Sequence, residues 1–305
     1  MNNAATCAVC GGEIVCRKQG MVAPFLARRI WDRPAFPAQL MECRECTFQF
    51  FNPRLEEAEE SRLYAQYRSE EYRSARQTAE PWYTRKFNSA LSHPDLMRSR
   101  RESLSAILQR YLAGHKIRTV LDFGGDRGAL VHGLIDGAEP FVYDISGVEP
   151  EPGVARASGP HEYDLIINSN VLEHVAYPRT LLEQIRGIAS PHTKIFIEVP
   201  FESPLDANLI VRRIAQTGIL MALRPSIGLT LARPRGLCLM HEHVNFYNSK
   251  SLEALMKSGG WTVEASGSYR VGGPGGGGTM GWCLSSVSSP VATTRRTTSG
   301  NCGSG

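Results

Sequence analysis

A chain of 305 residues, 42% of them apolar, can bury a large core and carry one catalytic-size α/β domain plus a smaller module. Its 34 basic and 30 acidic residues leave a formal net charge of +4, dispersed along the chain rather than gathered in a stripe, so no dedicated nucleic-acid binder is expected. Arg212, Arg213 and Arg224 interrupt the apolar stretch around 207–223, which leaves no run of the roughly 18 apolar residues a spanning helix needs. The opening MNNAATCAVCGGEIVC lacks a charged leader followed by an apolar segment, and a cytoplasmic protein is expected.

Residues 1–52 are punctuated by cysteines. Cys7 and Cys10 form one CxxC pair and Cys43 and Cys46 a second. Two such knuckles can set four thiolates tetrahedrally around one zinc, in place of the hydrophobic core that so small a module lacks. A closed four-cysteine site has no open position, so the expected Zn2+ is structural and does no chemistry. Cys16, Cys238, Cys283 and Cys302 have no comparable spacing and read as spare, core or tail thiols.

Residues 53–116 read as a helical connector. In PRLEEAEESRLYAQYRSEEYR, Pro53 suits a helix start, acids crowd the first turns, and Leu63, Tyr64 and Tyr67 share a face. A further helical stretch over 81–115 breaks near Ser92, His93 and Pro94 and stops at Gly114. From 118 the pattern alternates: strand RTVLDF, helix ALVHGLIDG, strand PFVYDI, strand YDLIINSN, a helix from about Pro178, strand KIFIEVP. Continuous apolar runs of this length, separated by helices, indicate a doubly wound, Rossmann-like, mostly parallel sheet with ligands at the carboxyl ends of its strands. An apolar, arginine-flanked insert (204–237) precedes HEHVNFY, a helix SKSLEALMKSGG, and strands WTVEASGSY and TMGWCLSSV joined by a flexible glycine run; residues 288–305 read as a disordered tail.

The loop DFGGDRG alone could bind a dinucleotide or another adenosine-containing cofactor, and its context decides between them. Gly124, Gly125 and Gly128 loosen a strand-to-helix turn, but Asp126 stands where a third turn glycine would suit a nucleotide loop. An acid there repels a pyrophosphate. It favours a cofactor with a cationic amino group and sulfonium, which Asp122 and Asp126 can neutralise: S-adenosylmethionine rather than NAD. Asp144, 22 residues after Asp122, is placed for ribose hydroxyls, with a turn cap as its bland alternative and Glu149 as its rival.

These segments, DFGGDRG, FVYD, YDLIINSNVLEHV and IFIEVP, resemble in order the motifs of class I S-adenosylmethionine-dependent methyltransferases, closest to the branch with ubiquinone-pathway-type and sugar methyltransferases. The paired CxxC, FFNPR and LYAQYRSEEY resemble the zinc-binding front end of some bacterial members, including those that modify nucleotide-linked sugars. HVNFYNSKSLEALMKSGGW resembles the segment before that branch's last two strands. The resemblance spans about 7–287 and implies a seven-stranded sheet over 117–287, with Asp122, Gly124, Gly125, Asp126, Gly128, Asp144, Ser169 and Asn170 at the cofactor. Asp126 departs from a common family glycine, and the short interval from Asp144 to Asp164 implies an abbreviated third strand.

Methyl transfer is an in-line displacement that needs positioning, exclusion of water and a base for a hydroxyl or acidic carbon. His243, which matches the histidine of the family segment, is the first candidate for base or substrate anchor. His174 is the second, with helix bracing as its alternative. Glu173 borders the methyl-donor end, Glu198 and Glu202 flank Pro200 and are candidates for touching substrate hydroxyls, and His241 with His243 at i, i+2 would point the same way on a strand, with Glu242 facing away. For the insert, a lid helix pair with its arginines outside is favoured over a phosphate or lipid-linked acceptor site and over an interfacial membrane helix. The expected activity is methylation of a small molecule, a sugar or nucleotide-linked sugar; the alternatives are RNA methylation and a non-catalytic cofactor-binding scaffold.

Overall fold

The computed structural model describes residues 3–67, 69–90, 94–158, 162–272 and 278–288. The expected helix break at 91–93, most of the glycine connector, the tail from 289 and Cys302 lie outside them. In chain order the first elements are β1 (Ile14–Val22), α1 (Pro24–Trp31), β2 (Pro37–Cys43), β3 (Gln49–Asn52), α2 (Glu57–Tyr64), α3 (Glu70–Ala79), α4 (Arg85–Ala90) and α5 (Pro94–Tyr111). Then come β4 (Thr119–Phe123), β5 (Glu139–Tyr143), β6 (Ala155–Arg156), β7 (Leu165–Ser169), α6 (Pro178–Ile188) and β8 (Lys194–Pro200). The insert forms α7 (Ala207–Leu223) and α8 (Pro225–Leu231), followed by β9 (Leu239–Met240), β10 (Asn245–Phe246), α9 (Ser249–Ser258), β11 (Trp261–Val271) and β12 (Gly278–Val287). No helix among the described residues is long and apolar enough to cross a membrane.

Seven strands form one sheet in the order β11-β12-β8-β7-β4-β5-β6. β4 to β8 pair in parallel, and β12 runs antiparallel between β8 and the edge strand β11. The central strands are continuous apolar runs because both faces are covered. Leu121, Ile166, Ile195 and Ile197 meet Leu182 and Ile185 of α6 and Leu252, Leu255 and Met256 of α9. Their neighbours Val120, Leu165, Ile167 and Phe196 meet Leu104 and Leu108 of α5 and Leu112 just beyond it. β6 has only two residues, the shortening that the interval between Asp144 and Asp164 implies.

The helix expected over ALVHGLIDG does not form: residues 126–133 run as consecutive turns. Its backbone bonds are mostly three-residue closures, Gly128 to Gly125, Val131 to Gly128 and Leu134 to Val131, with one four-residue bond from His132 to Gly128, and Gly128, Gly133 and Gly137 all have positive φ. Glycines at this density favour turns over a helix of so few residues. Leu130, Val131 and Leu134 still reach the α5-facing core, so the segment covers the sheet as a helix would.

A second sheet has the order β10-β3-β2-β1-β9. It recruits β9 and β10 from beyond the insert, β9 parallel to β1 and β10 antiparallel to β3. The N-terminal lobe does not lack a core: Leu26, Leu40, Phe51, Leu63 and Tyr72 pack with Met240 and Val244. The expectation of a small module held by metal alone is corrected in this respect, because two distant strands complete it.

Candidate active site

The chain leaves β4 toward β5 on one side and returns to β7 on the other, so the carboxyl ends of β4 and β7 form the switch point where such sheets hold ligands. The glycine loop lies there. Gly124 and Gly128 have positive φ, and so has Asp126 at 55°. Asp is among the few non-glycine residues that tolerate this left-handed conformation, which explains how it replaces a turn glycine. Its side chain is exposed on the loop crest, and its N–H donates to Asp144 Oδ2 at 2.8 Å. Asp144 also accepts from Ser146 N–H at 2.7 Å. The carboxylate placed for ribose therefore braces the loop against the end of β5. Glu149 faces Arg156 near the surface.

Asp122 lies beneath the loop, 2% exposed. A Cβ on Gly125 would come within 2.0 Å of Asp122 Cγ, so glycine at 125 is what lets this carboxylate sit there. Burial pushes its pKa up to about 7, against the lowering influence of Arg100. Arg100, on α5, donates to Ser169 Oγ (2.6 Å) and Glu198 Oε1 (2.7 Å); Ser169 donates to the same Glu198 oxygen and Tyr269 to the other. With its amide oxygen turned toward α5, Asn170 accepts from Arg100 as well. Glu198, a candidate for touching substrate, is instead buried within this network. Arg100 has no signal in the sequence, since nothing on its helix distinguishes it from the neighbouring arginines.

Across the edge of the sheet lies a cavity of about 370 Å³ between α3, the α4 entry, α7 and the HEH segment. Trp82, Tyr83, Phe87 and Leu220 supply apolar wall; Arg212, Glu202, His241 and His243 supply polar wall. Residues 241–244 lie between β9 and β10, so the expectation that His241 and His243 share a strand face is corrected. His241 pairs with Glu80, and His243 Nδ1 with Glu202. Glu242, expected to face away, is buried; it accepts from Tyr72 Oη and from Arg76 Nη1 (2.8 Å). Burial raises its pKa, but the Arg76 guanidinium and His241 outweigh this and hold it at about 2. For His243, burial favours the neutral ring, yet Glu202 outweighs it and lifts the pKa to about 9, so the ring is a hydrogen-bond donor at neutral pH.

His174 and His243 come together, ring centroids 4.7 Å apart, joining the two candidate bases at one place. His174 Nδ1 meets Tyr64 Oη (3.0 Å) and the Glu242 carbonyl (3.1 Å), and Glu173 is buried beside it with its pKa raised by burial to about 7. Buried Arg54 donates to the carbonyls of Phe51, Ala176 and Val244 and to Asn245 Oδ1, tying the FFNPR turn to the segments that carry both histidines. The arginines of α7 are not all outside: Arg213 turns in to the carbonyls of Leu237 (2.9 Å) and Pro204 (3.4 Å).

At the N-terminal tip, Cys7 Sγ is 3.6 Å from Cys46 Sγ, and Cys10 Sγ is 3.4 Å from Cys43 Sγ. All four sulfurs lie within 4.8 Å of one another. Each CxxC turn is followed by a residue at positive φ, Gly11 and Thr47, and the Val9 and Cys46 N–H groups donate to Cys7 and Cys43 sulfurs. Cys238 and Cys283 are buried core residues and Cys16 is exposed.

A family profile described as "Methyltransferase domain" matches residues 96–266, more than half of the chain. Among solved structures, the chain is similar to Burkholderia thailandensis 1,6-didemethyltoxoflavin-N1-methyltransferase with bound 1,6-didemethyltoxoflavin and S-adenosylhomocysteine (19% identity, 71% of this chain and 87% of that chain, TM-score 0.44). It is similar to human N-acetylserotonin methyltransferase in complex with SAM (19% identity, 75% and 59% covered, TM-score 0.41), and to Synechocystis magnesium protoporphyrin IX methyltransferase with bound SAH (13% identity, 63% and 83% covered, TM-score 0.38). No curated protein sequence matches significantly. The matched residues run from α5 through the glycine loop and the carboxyl edge of the sheet into β11; the chain belongs to the methyltransferase-domain family.

Proposed function

We propose that the chain transfers a methyl group from S-adenosylmethionine to a hydroxyl-bearing small molecule, a sugar or nucleotide-linked sugar, bound in the cavity beside His243. The observation that carries this reading is that Glu202, on the polar wall of the cavity with Glu242 and His243, follows the carboxyl end of β8 in the same sheet whose strand β4 runs into the glycine loop. A volume of about 370 Å³ falls within the range that holds small ligands, and carboxylate and imidazole groups suit hydroxyls. Asp122, Gly124, Gly125, Asp126, Gly128, Asp144, Ser169 and Asn170 would border the cofactor, with Asp122 and Asp126 offering negative charge to its cationic end. Gly125 keeps the loop close over Asp122 and Asp144 keeps its conformation, so both act on the cofactor through the backbone.

In the transfer, the acceptor oxygen attacks the methyl carbon, the carbon–sulfur bond breaks with its electron pair going to sulfur, and the acceptor proton leaves to a base. His243 with Glu202 anchors the acceptor, and His174 is the alternative recipient of its proton. α7 and α8 would close over the acceptor as a lid, with Arg212 reaching any phosphate.

The N-terminal lobe would carry one structural Zn2+ on Cys7, Cys10, Cys43 and Cys46. Tetrahedral ligands at about 2.3 Å lie about 3.8 Å apart, close to the 3.4 and 3.6 Å sulfur separations and far from a disulfide. Calorimetry with S-adenosylmethionine, then a labelled-methyl assay over a sugar-nucleotide panel, tests the reading. No cofactor binding at millimolar concentration would defeat the cofactor assignment, methylation of RNA alone would redirect the substrate, and full turnover in both His243→Ala and His174→Ala would reject the assigned residues.

A further inference from the structure

Glu173, His174 and His243 form a second candidate metal centre, separate from the cysteines. One ligand atom from each lies within 4.8 Å of the others. Glu173 is 1% exposed, and its Oε2 is a buried oxygen without a hydrogen-bond partner, the kind of orphan that an ion or water satisfies. Its Oε1 stands 4.0 Å from His174 Nε2.

Both imidazoles are oriented as metal-bound histidines are, by a partner on the remote nitrogen. Glu202 takes Nδ1 of His243, and the Glu242 carbonyl with Tyr64 takes Nδ1 of His174. Nε2 is thus the ligand atom of each ring, and an ion would displace the Nε2 proton that His243 carries at neutral pH. Bonds of about 2.1 Å require ligand separations of about 3.0 to 3.5 Å, so from separations of up to 4.8 Å the side chains need to close by up to about 1.8 Å. Glu173 is buried beside the histidines, and a cation there balances a charge that burial makes costly.

We propose that Glu173, His174 and His243 bind one divalent first-row transition-metal ion at the edge of the acceptor cavity. Two imidazoles and one carboxylate suit zinc, iron, cobalt or nickel over magnesium or calcium. His243 lines the cavity, so an open coordination position there would face the acceptor, where a bound hydroxyl becomes more acidic. This last role rests on the proposed function; the binding does not.

Titration of the full-length, metal-free protein with Co2+ tests the site. Thiolate ligands give strong ultraviolet charge-transfer bands, whereas a two-histidine, one-carboxylate site gives only weak visible bands. Wild type should take up a cobalt ion with the weak signature in addition to any thiolate-bound one. Glu173→Gln and His174→Asn should each abolish that uptake while the thiolate bands and S-adenosylmethionine binding persist, which shows the fold intact. Glu202→Gln, which removes only an orienting partner, should weaken it 10- to 100-fold. Cobalt uptake with thiolate bands alone in wild type, or retention of the weak-band ion in both Glu173→Gln and His174→Asn, would overturn the proposal. If the weak-band ion binds but S-adenosylmethionine does not, the metal site stands and the functional reading falls.

Discussion

Asp122→Asn should make the cofactor-free protein more stable, and only where the acid is ionised. Burial raises the Asp122 pKa from 3.8 to about 7, with Arg100 pulling the other way. The folded protein therefore binds this proton more tightly than the unfolded chain. Below about 3.8 both forms are protonated and the carboxyl costs nothing; the cost grows as the pH rises from 3.8 to 7 and is constant above. At 1.36 kcal/mol per pH unit the full cost is on the order of 4 kcal/mol. The opposing effect, loss of a neighbour for Arg100, is smaller because Arg100 keeps its 2.7 Å contact to Glu198. Urea denaturation of wild type and variant at about pH 4, 6 and 8 should give nearly equal stabilities at pH 4 and a gap that widens to on the order of 4 kcal/mol by pH 8. S-adenosylmethionine binding should move the opposite way, weakening at least about tenfold, because the buried charge that costs stability is the one that faces a cationic ligand. A gap independent of pH, or a variant less stable at pH 8, would refute the reasoning.

Gly125→Ala drives a methyl group to within 2.0 Å of Asp122; overpacking of about 1 to 3 kcal/mol in thermal denaturation should accompany loss of cofactor binding by calorimetry. Arg76→Met strands Glu80 and Glu242, both bonded to it at 2.8 Å, at a cost of about 3 to 5 kcal/mol. Because the Glu242 pKa is held at about 2, below its ordinary 4.5, this deficit should be full at neutral pH and shrink as the pH falls through 4.5 toward 2, which pH-dependent denaturation will show. Arg54→Leu takes the guanidinium donor from the buried carbonyls of Phe51 and Ala176 and from Asn245 Oδ1, while the Val244 carbonyl keeps the Phe51 N–H, and should lower stability by about 3 kcal/mol. With the metal proposed at Cys7, Cys10, Cys43 and Cys46 in place, chelation should unfold the N-terminal tip first, read as exposure of amide hydrogens in 7–12 and 43–48 with the seven-stranded sheet still protected.

The seven-stranded sheet was legible because its central strands are buried on both faces, which demands uninterrupted apolar runs such as LIIN and IFIEV. The paired CxxC turns were legible for a local reason, since each knuckle is a short turn closed by its own backbone bonds, Gly11 to Cys7 and Thr47 to Cys43. The glycine loop was read correctly as a turn, but the helix after it was not, because apolar spacing in ALVHGLIDG serves a helix and a string of core-covering turns equally well.

The residues alone determined the chemistry available: four paired thiols, an acid-bearing glycine loop after a buried strand, and two histidine-containing segments beyond the sheet. Tertiary structure decided how those groups are used. Asp144 became a brace for Asp126, Glu242 a buried counter-ion to Arg76, and His243 a partner of Glu202 and neighbour of His174, through contacts between residues tens to hundreds of positions apart. Periodicity along a chain reports which face of an element is buried, but not what it is buried against. Here β9 and β10 cross into the N-terminal sheet, and with them the HEH segment is held where Glu80 pairs with His241 and Glu202 with His243.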